Sequence, residues 1–78
     1  MSSPPSHVIR LDAIIVRIRR RTTRSGVRHS VSISRFYHNG DTLKESTRFS
    51  RNDLPIIRAA LDEAFTWIAG NGQLVEPQ

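Results

Sequence analysis

The chain has 78 residues, no cysteine, and a formal net charge of +5 from 12 Lys and Arg against 7 Asp and Glu. A chain this short is one domain that buries only about 60% of its unfolded surface. Without cysteine it has neither disulfides nor thiolate metal sites to staple it. A partner subunit is the staple that remains, so a homodimer is expected. No run reaches the roughly 18 apolar residues of a membrane span, and the opening "MSSPPSH" lacks the basic and apolar segments of a secretory leader. A cytoplasmic location is expected.

Residues 1–6 and 70–78 are rich in Pro, Ser, Gly and Gln and are expected to be disordered tails around one β-β-β-α domain at 7–69. From 7 to 21 apolar and polar residues alternate with a period of two, as a half-buried strand does. Ile14, Val16 and Ile18 share one side; Ile15, Arg17, Arg19 and Arg21 share the other. "TTRSG" supplies a turn, with Gly26 suited to positive φ. Alternation resumes over 28–37, with His29, Val31, Ile33, Arg35 and Tyr37 set against Arg28, Ser30, Ser32, Ser34 and Phe36. "HNGD" reads as a hairpin, because Asn-Gly fits a two-residue primed turn. A further strand over 42–50 groups Leu43, Thr47 and Phe49 and leaves Lys44, Ser46 and Arg48 opposite.

"SRND" marks a helix start, capped by Ser50 or Asn52; Pro55 favours Asn52 because proline is tolerated only in a first turn. Leu54, Ile57, Leu61, Ala64, Phe65 and Ile68 form a stripe at helical spacing, and Gly70 ends the helix. The expected architecture is an α+β fold: a three- or four-stranded antiparallel sheet (a β-meander) followed by one C-terminal helix packed on one face. A second strip of Ile56, Ala60 and Trp67 is left over, and a single sheet buries only one stripe. It is read as the dimer interface, with Trp67 as its anchor; a loop of the same chain is the other reading.

Charge is unevenly placed: residues 1–39 carry eight arginines against Asp12, while 40–78 carry four cations against six acids. The stretch "RIRRRTTRSGVRHS" at 17–30 contains six arginines and no acid. Codon preference raises arginine counts but does not remove acids, so a basic face is expected. The sheet face away from the helix would hold Arg17, Arg19, Arg21, Arg28, Phe36, Lys44 and Arg48 among serines. Such cations bind phosphate, and a ring such as Phe36 stacks a base. Against this stands the plain reading of a solvated polar face. His7, His29 and His38 have no metal-ligand spacing and are read as solvated. Asp62 and Glu63 are adjacent on a helix and make a poor acid/base pair. No nucleophile motif or phosphate loop is present, so neither enzymatic activity nor a cofactor is expected.

Over "VSISRFYHNGDTLKESTRFSRNDLPIIRAAL" the chain resembles the core of the positive-cofactor-four coactivators. The likeness rests on Ile33, Phe36 and Tyr37, on the turn at Gly40-Asp41, and on a short strand, Thr47-Arg48-Phe49, leading into a helix. Glu45-Ser46 stands where that family has Lys-Gly, and Leu54 where it has an aromatic. The resemblance implies a homodimer that binds single-stranded DNA in transcription regulation. A closer resemblance, to small bacterial proteins with an "NGD…K…T.F.R.DL" core and a terminal Trp-Ile, implies only the fold. The leading expectation is therefore a homodimeric nucleic-acid-binding module preferring single strands. A protein-interaction module is the alternative, and a sheet-based reader of double-stranded DNA is a further one.

Overall fold

The computed structural model describes residues 5–72; the ends of both expected tails, 1–4 and 73–78, lie outside them. Four strands follow one another, β1 (His7–Leu11), β2 (Ile14–Thr23), β3 (Gly26–Asn39) and β4 (Thr42–Ser46), in one antiparallel sheet of order β1-β2-β3-β4. A 3₁₀ turn (Arg51–Asp53), the helix α1 (Leu54–Trp67) and a π turn (Ile68–Gly72) complete the chain. This is the α+β meander with one C-terminal helix that the sequence led us to expect. Among the described residues no helix is long and apolar enough to cross a membrane.

The alternation over 7–21 belongs to two strands rather than one. Asp12 takes a left-handed φ of 52°, and Leu11 pairs with Ile14 across a two-residue turn. Aspartate tolerates that conformation, so no glycine marks the bend. Because paired residues share a face, odd positions before the turn join even positions after it. Ile9 therefore meets Val16, and His7 meets Ile18. The later hairpin also has a two-residue turn, shifted by one residue from the Asn-Gly expected. Asn39 pairs with Thr42, leaving Gly40-Asp41 as the turn with φ 67° at Gly40.

Ile9, Ile14, Val16 and Ile18 form the core with Ala60 and Ala64 of α1. Ile56, Ile57, Trp67 and Ile68 pack around them, half-buried. Ile57, Ala64 and Ile68 of the expected stripe do face the core, but Leu54, Leu61 and Phe65 do not, which corrects half of the expected helix face and, with it, the dimer interface. Ala60 is fully buried, whereas Leu54, Leu61 and Phe65 are 57%, 40% and 74% exposed. Isoleucine and valine already fill the sheet side of the contact. Two alanines four residues apart let the helix backbone approach them, and larger side chains there would hold it off. The strip of Ile56, Ala60 and Trp67 is thus part of the inner face of α1, with Ile57 and Ala64 beside it.

The helix start is tied down by Asp53, whose Oδ2 accepts from the Ser50 N–H at 2.7 Å and the Ser50 hydroxyl at 3.1 Å. Arg35 Nε of β3 lies 3.4 Å from the same oxygen, an ion pair too poorly aligned for a hydrogen bond. Ser50 rather than Asn52 precedes the helical run, and Gly70 continues it within the π turn. At the other terminus Ser6 extends the ladder, its N–H donating to the Ile18 carbonyl at 2.7 Å and its hydroxyl oxygen accepting from the Arg20 N–H at 3.2 Å.

Strand lengths place the functional candidate. β1 pairs with β2 only up to Ile18, and β4 pairs with β3 only from Arg35 onwards. Apart from Ser6 beside Arg20 and Trp67 beside His29, the distal halves of β2 and β3, residues 19–23 and 26–30, therefore run beyond both edge strands as a two-stranded ribbon. Five residues at about 3.4 Å each make it on the order of 17 Å long.

Candidate nucleic-acid interface

Side chains at paired positions of antiparallel strands point to the same face, so the register defines the face away from the helix. Arg17 pairs with Ser32, Arg19 with Ser30 and Arg21 with Arg28; Phe36 lies on the same side, opposite Glu45 of β4. Arg17, Arg19, Arg21, Arg28 and Phe36 are brought together as expected. Arg10 of β1 joins them, paired with Ile15. It was missed because the turn at Asp12 inverts the alternation before it.

Two expected members fall elsewhere. Lys44 pairs with Tyr37 and so lies on the helix side of the sheet; the one-residue shift of the turn puts Leu43 and Glu45 on the open face in its place. Arg48 lies past the end of β4, where its N–H donates to Ser46 Oγ at 3.0 Å.

The centre of the open face is closed by its own side chains. Arg17 grips Glu45 with two hydrogen bonds of 2.9 Å, Nη1 to Oε1 and Nη2 to Oε2. The Ser34 hydroxyl donates to the same Oε1 at 2.6 Å. Arg17, and Ser34 after it, hold the Glu45 carboxyl down at about 2, and Glu45 in turn raises the Arg17 pKa. Next to this cluster the Arg10 guanidinium sits 5.1 Å from the centre of the Phe36 ring. Beneath these pairs Ile15 and Ser34 are 5% and 6% exposed. Arg17 is thus charge-neutralised within the chain, and one face of Phe36 is occupied.

The distal ribbon is the opposite case. Residues 20–28 are all exposed. Arg19, Arg20, Arg21, Arg24 and Arg28 carry five positive charges there, and among the described residues none of them forms an ion pair. Arg19, Arg21 and Arg28 point to the open face, Arg20 pairs with His29 on the other, and Arg24 lies in the turn. Arg21 and Arg28 stand directly opposite each other, and like charges so placed repel.

On the helix side Trp67 stacks on His7, with ring centres 4.6 Å apart and planes at 3°, and meets His29 edge-on at 6.5 Å. These two histidines pack against the indole; they are not the solvated groups expected. A groove of about 550 Å³ opens beside them, lined by His7, Ile9, Asp62, Glu63, Thr66 and Trp67.

No protein-family model matches the chain, and no curated protein or solved structure is similar to it at a significant level.

Proposed function

We propose that this protein is a homodimeric nucleic-acid-binding module that grips the phosphate backbone with the distal β2–β3 ribbon. One observation carries the reading: five arginines that form no ion pair among the described residues are held on a projecting ribbon, two of them directly opposed. An arrangement that costs stability in the free chain is relieved by an anionic ligand. Phosphates supply that charge, and arginine recognises them with directed, charge-assisted hydrogen bonds.

Two features favour duplex over single strand. Base stacking needs an accessible ring, and Phe36 already holds Arg10 on one face. The ribbon carries cations on both faces, and two paired strands fit a major groove about 12 Å wide. An acidic protein partner would meet the same arginines, and it is the competing outcome of the test.

The test is fluorescence anisotropy with labelled duplex and single strand at several salt concentrations. Five phosphate contacts per ribbon give a log–log salt slope of about −4.5 on duplex and about −3.5 on single strands, and up to about twice that when both ribbons of the dimer engage. Charge reversal at Arg19 and Arg21 together should abolish binding while leaving the circular dichroism spectrum intact. Preference for the single strand would return the reading to the sheet face. Binding that survives both reversals, or the absence of binding at low salt, would sink the nucleic-acid reading and direct the search to acidic proteins.

A further inference from the structure

We infer that two copies of this chain join through the outer flank of α1, along Leu54, Leu61 and Phe65, with Arg58 of each copy meeting Asp62 of the other. The inference deepens the dimeric half of the proposed function and is independent of its nucleic-acid half.

The flank is unpartnered and apolar. Leu54, Leu61 and Phe65 are 57%, 40% and 74% exposed. At about 100° per residue they fall within one narrow stripe of the helix. Its position over the sheet follows from the groove on the other flank, which Glu63, Thr66 and Trp67, with Asp62 at its rim, line together with His7 and Ile9 of β1. The stripe lies on the side opposite those residues, and with strand order β1-β2-β3-β4 that side looks toward β3. There Val31, paired with Ile18 on the helix side of the sheet, is 42% exposed. Helix flank and strand thus border one apolar surface, on the order of a few hundred Å². It would form the apolar centre of an interface whose standard size is roughly 800 Å² per partner, the polar rim supplying the rest.

The order of residues along the stripe selects a second copy as occupant. In a two-fold contact residue i meets j and j meets i. Two α1 helices packed antiparallel and crossing at the level of residues 59–60 set Leu54 against Phe65 of the other copy at both ends of the contact, with Leu61 between them. The same operation sets Arg58 against Asp62 twice. Arg58 borders the stripe and Asp62 stands one step further round the helix, at the rim of the groove; among the described residues neither is ion-paired within its own chain. The surface is complementary to its own reverse in shape and in charge. The core also gives the chain reason to associate, since the largest fully buried side chains among the described residues are Ile14, Val16 and Ile18.

Light scattering on the full chain tests the inference, over concentrations from sub-micromolar to near-millimolar. The wild type should have the mass of two chains, and Phe65→Glu the mass of one with an unchanged far-ultraviolet spectrum. Arg58→Asp and Asp62→Arg should each weaken the dimer, and the double variant should restore it. The charge pair decides the matter if Phe65→Glu fails to fold. A wild type that stays one chain throughout overturns both the dimer and this surface. A wild-type dimer that keeps its mass in Phe65→Glu, or a broken charge pair that the double variant fails to restore, overturns the surface alone. Nucleic-acid binding is read separately: a folded Phe65→Glu monomer still binds, with a shallower salt slope.

Discussion

Glu45 decides what Arg17 can do. Its carboxyl is held at about 2 by Arg17 and Ser34, below the roughly 4.3 of a free glutamate. A depressed carboxylate stabilises the fold at pH values above the unfolded pKa and loses that contribution as pH falls through the folded one. Acid titration of wild type against Glu45→Gln should therefore show a stability difference that is constant near neutrality and disappears between about pH 4 and pH 2. The same substitution frees a guanidinium beside Arg19. It should steepen the salt dependence of nucleic-acid binding by up to about one unit; an unchanged slope would confine binding to the ribbon. Arg28→Gln tests the opposed pair. Removing one of two like charges should raise stability by about half a kcal/mol, seen as a higher Tm, while weakening binding. A fall in both would mean that Arg28 supports the fold and is not held there for a ligand. The arginines themselves were plain in the sequence. Which of them was already spent was not, because Arg17 and Glu45 are 28 residues apart and meet only through β3.

At the scale of the element, α1 shows why spacing alone misplaces a face. Its apolar residues cover a broad arc, and counting hydrophobic bulk centres that arc on Leu54, Leu61 and Phe65. The sheet beneath presents isoleucine and valine, so close approach favours alanine, and the helix settles on Ala60 and Ala64. The prediction is asymmetric. Ala60→Leu should cost about 1–3 kcal/mol in a denaturant titration by overfilling the contact, whereas Leu54→Gln should leave the stability of the folded monomer nearly unchanged. Equal losses at both positions would return the helix to the orientation expected from bulk. The β1–β2 turn is a similar case. Asp12 takes the left-handed conformation usually left to glycine, so nothing in the composition of the stretch signals a bend.

For the whole molecule, the consequence is a division of labour between the two sides of the sheet. The open face neutralises its own centre and keeps its free charge at the tip of a ribbon. The helix side buries a thin core and leaves one flank of α1 uncovered. Both features come from unequal strand lengths and from a helix that packs mainly over β1 and β2 and reaches β3 at Trp67. A β3 of 14 residues beside edge strands of 5 must project somewhere, and the projecting part is where the arginines lie.

Local chemistry determined by itself that this chain forms a meander followed by a helix. It also determined that β2 turns isoleucine and valine to one side and arginine to the other, and that positive charge gathers between 17 and 30. Each follows from residue periodicity and turn residues, which act over a few positions. Strand register, the rotation of α1 and the pairing of Arg17 with Glu45 were decided only in three dimensions. They depend on which residues distant in the chain come to face one another, and a one-residue shift in a turn exchanges the faces, as it did for Lys44.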